Sequence, residues 1–290
     1  MAAETVKKVA MHGKKVKRHN PIANILIYLI LAILFLICIV PFYSMLISST
    51  HDNATLASQF VLTPGKYLVK NYQRMMMSTN IWRGMANSLF LATSATLLSS
   101  YFGALTAYGF SKYKFRGNKV LFAILLGTMM LPGQLGIIGY FNLMNSFKLL
   151  DTYAAILIPS IASAMSVFWN KQYLDAFVPN ALIEAARIDG AKELVIFHRV
   201  IFPIIIPAVA TQAIFTFVGA WNNFLNPLIL LFSDNKFPLP VLVQQMQGIY
   251  GSDYGVIYLG VTMSVLPILI IFVFCSRRII DGVAVGAVKG

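Results

Sequence analysis

The sequence predicts an all-α, polytopic membrane protein with six transmembrane helices. The 290-residue chain is 58% hydrophobic and only 11% charged, with a mean hydropathy of +0.73, whereas soluble domains are about one quarter charged. Several apolar runs exceed the ~18 residues that indicate a bilayer-spanning helix. A transmembrane barrel would instead show alternating segments of roughly ten residues, and these are absent.

Six apolar runs are long enough to be interpreted as spans, and none contains Asp, Glu, Lys or Arg. The first run is too long and too far from the N-terminus to be an ordinary signal peptide. The predicted spans are Pro21–Ile47, Met85–Phe110, Val120–Phe147, Tyr153–Trp169, Ile201–Phe232 and Tyr254–Cys275.

The positions of the basic residues predict the orientation. Segments 1–20, 111–119, 170–200 and the C-terminal tail hold 17 of the 23 Lys and Arg residues. The positive-inside rule therefore predicts a multi-pass protein of the cytoplasmic membrane with both termini in the cytoplasm. Topology explains the net charge of +13, so no nucleic-acid partner is expected.

The predicted organisation is one six-helix transmembrane domain, residues 21–276, between a basic cytoplasmic tail, 1–20, and a cytoplasmic C-terminal tail, 277–290. The chain lacks a P-loop, a zinc-protease motif and a nucleophile elbow. Cys38 and Cys275 lie in apolar runs, where thiols behave as small hydrophobes. We therefore expect no catalytic residues, no metal site and no cofactor. The spans also lack the ionisable group that ion-coupled carriers usually need.

Segment 179–200 is unusually polar for a connection between two spans. Pro179-Asn180 is a good helix start, with Asn180 as the expected cap. Asp189-Gly190 is expected to break this helix, and Asp189 to cap a second one. One face of the second helix would comprise Ala191, Leu194, Val195 and His198. Two interpretations follow: the helix pair docks into a groove of another protein, or it braces the spans at the membrane surface.

This segment also carries a specific family resemblance. EAARIDGAKELVIFHRVIFP, from Glu184 to Pro203, resembles the signature loop of ATP-binding-cassette (ABC) importer permeases. WNNFLNPL, starting at Trp221, and RRIIDGVAVGAVKG, starting at Arg277, are similar to the smaller permease of maltose-type importers. The resemblance implies a type I ABC importer permease fold, also called MetI-like.

The resemblance implies roles for the loop residues and the C-terminal tail. Glu184 would contact a basic group of the ATPase, while Gly190 would supply the sharp turn and Asp189 would hold it. Ala185, Ala186 and Ala191 would allow close packing. Phe197 and Pro203 complete the motif of this coupling loop. In the tail, Gly286, Lys289 and Gly290 would touch the ATPase dimer.

The implied function is the ATP-driven import of a sugar or oligosaccharide. The implied partners are a second homologous permease, two ATPase subunits that bind ATP and Mg, and an extracytoplasmic sugar-binding protein. Two alternatives stay open from the residues alone: a self-contained secondary carrier or channel, and a membrane scaffold that recruits a cytoplasmic ATPase.

Several side chains have the chemistry to contact a sugar along a substrate path. In the fifth span these are Trp221, Asn222, Asn223 and Asn226, and in the third span Gln134, Asn142 and Asn145. The alternative is that they form hydrogen bonds between helices. Members of that permease family often carry an acidic residue at the position of Asn223. Any role of the acidic residue in those proteins is therefore not assigned to Asn223.

Overall fold

The computed structural model describes residues 21–247 and 253–287, and its regular elements are helices. This confirms the predicted all-α class. The α-helices are α1 (Pro21–Ser48), α2 (Asn53–Ser58), α3 (Leu68–Ser78), α4 (Ile81–Lys112), α5 (Asn118–Met129), α6 (Ile137–Ser146), α7 (Ala154–Ser160), α8 (Ala164–Phe177), α9 (Asn180–Ile188), α10 (Glu193–Ile196), α11 (Phe202–Trp221), α12 (Leu225–Leu230), α13 (Leu239–Gln245) and α14 (Tyr254–Ala287).

Four described helical stretches are long and apolar enough to cross a membrane. They are Asn24–Ser48, Ile81–Lys112, Glu193–Trp221 and Tyr254–Phe274. They correspond to the first, second, fifth and sixth predicted spans. A fifth arises if the bent pair Asn118–Met129 and Gly133–Ser146 counts as one span. The six-span count is consistent with this arrangement and stays a prediction.

The third and fourth predicted spans are each broken in the structure. The two halves of the third meet at 94°, because Pro132 disfavours helical geometry at the preceding residue. The fourth divides into α7 and α8, and the Ser163 hydroxyl caps α8 by accepting the Ser166 N–H at 3.3 Å. Hydropathy detects neither break, since the intervening residues are themselves mostly apolar.

The centre of the molecule is the packing of α4 against α8 and α11. Small residues allow these helices to approach closely. A Cβ atom built on Gly103 would lie 2.4 Å from Ser166 Cβ. Ala104 and Ala107 are fully buried at the same contact. The crossing of α4 and α8 therefore depends on the absence of a side chain at residue 103.

In contrast, α1 is almost wholly exposed within this single chain. The most apolar window of its stretch Asn24–Ser48 has none of its residues buried, and α1 packs mainly on α14. A helix that is apolar on all sides is typical of a membrane environment. The surface of α1 is therefore suited to lipid or to another membrane helix.

The connection after α1 folds back onto the start of α14. Asn71 on α3 is buried and donates hydrogen bonds to the carbonyl oxygens of Ser49 and His51, both at 2.8 Å. Arg74 forms an ion pair with Asp253 at 2.7 Å. The helix α3 is thus anchored to two neighbouring segments.

Candidate functional site

The segment 179–200, called the 179–200 loop below, forms the predicted helix–turn–helix. After α9, the backbone turns at Gly190, whose φ of 76° lies in the left-handed region that favours glycine. The Gly190 N–H donates to the Arg187 carbonyl and the Ala191 N–H to the Ala186 carbonyl, each at 3.0 Å. Backbone hydrogen bonds therefore hold this turn.

The expected side-chain caps are not formed. Pro179 occupies the N-cap position of α9 with an extended backbone, and Asn180 is the first helical residue. Lys192, and not Asp189, precedes α10. Asp189 instead ends α9, where its N–H donates to the Ala185 carbonyl. Propensity located the helix boundary within one residue but not the capping geometry, which depends on the exact backbone angles.

The 179–200 loop has one face packed on the chain and one face open. Ile183 is buried, and Ala186 and Ala191 pack partly against the same apolar cluster. Glu184, Ala185, Asp189 and Gly190 are exposed. The most exposed large apolar side chains of the loop are Ile188, at 86%, and Leu194, at 62%.

The amphipathic face expected on the second helix is therefore not the face that packs inside this chain. Leu194, Val195 and His198 are exposed. The adjacent Ile196 and Phe197 are completely buried. Aromatic rings of Tyr101 and Tyr108 surround the Phe197 ring, with centroids 6.2 and 5.6 Å away. Phe197 thus anchors the second helix to α4.

A polar clamp that sequence reasoning missed holds the two halves of the loop together. The Arg187 Nε donates to the Glu193 Oε1 at 2.7 Å across the turn. The hydroxyls of Tyr108 and Tyr113 donate to the Glu193 Oε2, and the Arg187 guanidinium lies 5.5 Å from the Tyr113 ring centroid. Opposite charges on either side of the Gly190 turn were a visible signal for the ion pair. The tyrosines, about eighty residues earlier, gave none.

The second helix of the loop is continuous with the following span. After α10, residues Phe197–Ile201 form one π-helical turn, which leads directly into α11. The fifth span, predicted to begin at Ile201, therefore belongs to a longer helical stretch that runs from Glu193 to Trp221 and contains Pro203. Pro203 has no N–H to donate to this stretch, and single π turns within α-helices are frequent at functional sites.

At the other end of α11, the helix breaks at residues 222–224 and borders a cavity of about 500 Å³. Asn223 and Asn226 line this cavity, together with residues of α4, α6, α7 and α11. Two of the other predicted path residues lie elsewhere. Trp221 is 1% exposed and its Nε1 donates to the Ser264 carbonyl at 3.1 Å, while Asn222 is exposed outside the cavity wall.

Beside the cavity, a buried hydrogen-bond network joins the three central helices. Gln212 on α11 accepts from the Ser100 hydroxyl at 3.1 Å and donates to the Ser166 Oγ at 2.6 Å. The Ser99 and Ser166 hydroxyls are 3.2 Å apart. The sequence prediction of hydrogen bonds between helices named other residues, since pairing partners cannot be deduced without the packing.

The remaining predicted positions are the candidate substrate residues of the third span and the C-terminal tail. Gln134, Asn142 and Asn145 are exposed and do not line the cavity. The backbone of Gly286 belongs to α14, whereas Lys289 and Gly290 lie outside the described residues. Within residues 21–247 and 253–287, no group of three His, Cys, Asp or Glu side chains is arranged to hold a metal ion.

The model of one protein family matches residues 99–283. This stretch includes the 179–200 loop, all of α11 and the helix break at residues 222–224. The family's description is "Binding-protein-dependent transport system inner membrane component". The chain belongs to this family. It is therefore a multi-pass component of the inner membrane, and its role is transport and not bond chemistry. The resemblance detected in the sequence is thereby confirmed.

Curated relatives match this permease over nearly its whole length. The arabinooligosaccharides transport system permease protein AraQ of Bacillus subtilis is 32% identical, covering 94% of this chain and 99% of the relative. The lactose transport system permease protein LacG of Rhizobium radiobacter is 30% identical, covering 92% and 96%. These relatives are permease subunits of transport systems.

Solved structures show the same fold. A chain of a bacterial ABC transporter involved in the import of the acidic polysaccharide alginate superimposes with a TM-score of 0.77 and 25% identity, over 91% of this permease and 99% of that chain. The MetNI methionine ABC transporter shares the fold with a TM-score of 0.52 and 18% identity. The predicted ABC importer permease fold is confirmed.

Proposed function

We propose that this permease imports a sugar or oligosaccharide and is driven by two ATPase subunits that dock on the 179–200 loop. The cargo class follows from the relatives, whose names include arabinooligosaccharide and lactose permeases. The drive would come from ATP and Mg bound by the ATPases. A second homologous permease and an extracytoplasmic sugar-binding protein would complete the transporter.

One observation carries the docking proposal: the open face of the 179–200 loop presents apolar side chains that none of the described residues covers. Ile188 and Leu194 are mostly exposed, beside the exposed carboxylate of Glu184. Amphipathic helices of this kind are recognised by apolar grooves on partner proteins. An exposed ion pair contributes only ~0–1 kcal/mol, so the apolar contacts would provide most of the affinity.

The continuous helix from Glu193 to Trp221 supplies a route for coupling. At 1.5 Å per residue, its 29 residues span about 43 Å. One end lies in the 179–200 loop and the other borders the cavity. ATPase movement that displaces Glu193 would therefore also displace the cavity wall. Reversing a 1:99 equilibrium between two access states requires about 5.5 kcal/mol of differential binding, which ATP and the loaded binding protein would supply.

The orientation of this route follows from charge. The basic residues concentrate in the segments on the side of the 179–200 loop, and the positive-inside rule places that side in the cytoplasm. Both termini would then be cytoplasmic. Gly286, Lys289 and Gly290 would lie where a second contact with the ATPase dimer is expected.

A self-contained secondary carrier is the less favoured alternative. The predicted spans contain no Asp, Glu, Lys or Arg, whereas ion-coupled carriers usually place ionisable groups near the bilayer centre. The curated relatives are also subunits of larger transport systems. The other alternative, a membrane scaffold that recruits an ATPase without transporting a substrate, does not explain the cavity beside α11.

Co-purification tests the proposal directly. The tagged chain, extracted from its native membrane in mild detergent, is expected to retain a P-loop ATPase and a second permease. Ile188→Ser should weaken ATPase retention by about thirtyfold, because burying an isoleucine contributes roughly 2 kcal/mol. Glu184→Gln should have a smaller effect.

Gln172→Leu serves as a control, because Gln172 is exposed on α8 outside the loop. It should retain the ATPase as the unmodified chain does. Recovery of the chain alone from several detergents, or equal ATPase retention by Ile188→Ser and the unmodified chain, would contradict the proposed docking.

A further inference from the structure

Asn223 and Asn226 are the two described residues with side-chain amides in the wall of the cavity beside α11. Asn223 lies in the helix break at residues 222–224, Asn226 follows it on α12, and both line the cavity. Neither side-chain amide has a hydrogen-bond partner among the described residues, and neither has a fully buried polar atom. Two side-chain amides of a membrane domain thus line a cavity without hydrogen-bond partners among the described residues. Burying an unpaired polar group in apolar surroundings costs free energy.

The rest of the cavity wall combines aliphatic side chains and prolines with hydroxyls, one aromatic ring and open backbone. Ser160, Ser163 and Thr216 contribute hydroxyl groups, and Tyr140 contributes a ring whose hydroxyl is already held by the Ala155 carbonyl. A Cβ atom on Gly133, Gly136 or Gly219 would meet nothing within 4 Å. The volume of about 500 Å³ is within the range of small-molecule sites, ~300–1000 Å³.

Among the residues that the structure describes, no Asp, Glu, Lys, Arg or His lines the cavity. This decides which ligands are compatible with it. A carboxylate that enters a partly dehydrated cavity needs a basic partner to offset the loss of hydration. An uncharged, hydroxyl-rich molecule needs only donors and acceptors, and a side-chain amide supplies both. The chemistry of the wall therefore matches neutral glycosyl units and not uronic acids.

We propose that this cavity is a binding subsite for an uncharged glycosyl unit of the transported carbohydrate, with Asn223 and Asn226 as its hydrogen-bonding groups. The inference rests on the proposed import of a sugar and adds that this subunit itself holds part of the cargo. The subsite borders the end of α11, so displacement of that helix changes the subsite directly. Binding and release of the glycosyl unit would thereby follow the position of the 179–200 loop.

Uptake by the complete transporter gives the first test. The complex, with its ATPases and binding protein, is placed in liposomes with ATP, and arabinotriose and lactose serve as uncharged probes. The double variant Asn223→Leu/Asn226→Leu is expected to lower the initial uptake rate about tenfold or more, since it removes two hydrogen-bonding groups at nearly constant volume. ATP hydrolysis stimulated by the loaded binding protein should persist, because the 179–200 loop is unchanged.

Gln172→Leu is the matched control, since it removes an exposed amide far along α8 from the cavity. Normal uptake in the control and in the double variant would overturn the subsite and leave sugar import standing. Loss of both uptake and stimulated ATP hydrolysis in the double variant would also overturn it, because that result indicates a structural role. If the unmodified complex takes up neither arabinotriose nor lactose, that result would overturn the sugar assignment itself.

Cysteine protection tests occupancy without depending on transport. Asn223→Cys is introduced into the complete complex after Cys38 and Cys275 are changed to Ser, and its modification by a small neutral thiol reagent is timed. Arabinotriose at high concentration should slow the modification at least threefold, while trigalacturonate at the same concentration should not. Equal protection by both sugars, or by neither, would contradict a subsite for an uncharged glycosyl unit.

Discussion

Arg187 and Glu193 face each other across the Gly190 turn, with 2.7 Å between the Arg187 Nε and the Glu193 Oε1. Their side chains are 42% and 45% exposed, so the ion pair by itself contributes little stability. Its importance comes from Tyr108 and Tyr113, whose hydroxyls donate to the same carboxylate from α4 and its C-terminal end. The clamp therefore joins three parts of the chain at one carboxylate.

Glu193→Gln should loosen the 179–200 loop without unfolding the membrane domain. The variant loses the charge that Arg187 and both tyrosine hydroxyls share, a local loss of about 1–2 kcal/mol. We expect faster hydrogen exchange at residues 188–193 and fewer sugar molecules imported per ATP. Asp175→Asn is the comparison, since it removes the Lys171–Asp175 ion pair on α8. Similar exchange in the loop of both variants would argue against the clamp.

Gly190→Pro should abolish coupled uptake. Proline restricts φ to about −65°, whereas Gly190 has φ 76° and donates its N–H to Arg187. We expect normal insertion into the membrane, loss of the retained ATPase and loss of uptake. Gly117 offers a matched control, because it also has a positive φ of 90° and open space at its Cβ position. Gly117→Pro should keep the ATPase bound, and uptake at the normal rate by Gly190→Pro would refute the coupling role of the turn.

Gly103→Ala should destabilise the crossing of α4 and α8. The new methyl group would lie 2.4 Å from Ser166 Cβ, so the two helices must separate, at a cost of about 1–3 kcal/mol. A lower thermal midpoint of the purified protein would report this. Gly109 lies on the same helix with nothing near its Cβ position, and Gly109→Ala should be neutral or slightly stabilising because alanine favours helix. Equal midpoints for the two variants would exclude the proposed steric contact.

The junction between residues 151 and 236 should be sensitive to acid. The Asp151 carboxylate accepts the N–H groups of Phe232 and Ser233, each at 3.0 Å, and pairs with Lys236 at 2.9 Å. The Ser233 hydroxyl, first among these partners, holds the pKa of Asp151 well below its ordinary value. A depressed folded-state pKa stabilises the junction above the unfolded pKa of ~3.9, and this stabilisation is lost as the pH falls below it.

Hydrogen exchange at Phe232 and Ser233 measures this effect. Protection should be full near neutral pH and should decline as the pH falls well below 3.9. Asp151→Asn should give weaker protection that no longer varies with pH in this range. Protection in the unmodified protein that persists unchanged at pH 1–2 would show that Asp151 does not stabilise the junction.

Particular elements show how far the sequence alone could predict this structure. Hydropathy identified the four long spans, and the Asp189-Gly190 pair identified the turn of the 179–200 loop, because both signals are local. The 94° bend in the third predicted span was not detected. Nor was the extension of the fifth span back to Glu193, since its polar first turn resembles a connecting loop.

The candidate site likewise contains some residues that the sequence predicted and some interactions that it did not. Asn223 and Asn226 were named from their chemistry, and the structure places both at the cavity. Trp221 was named for the same reason, but it is buried with its indole N–H bound to Ser264. The Glu193 clamp and the Gln212 network were missed, since their partners come from distant parts of the chain.

The sequence by itself determined that this protein is a membrane-embedded helical permease with a helix–turn–helix loop of the ABC importer type. These properties depend on local features of the sequence: the length of the apolar runs, the backbone freedom of glycine and a contiguous motif. Only the tertiary structure decided which polar side chains face a cavity, which are buried and which are paired. Those outcomes depend on how α4, α8 and α11 cross, and that geometry is determined by packing between residues far apart in sequence.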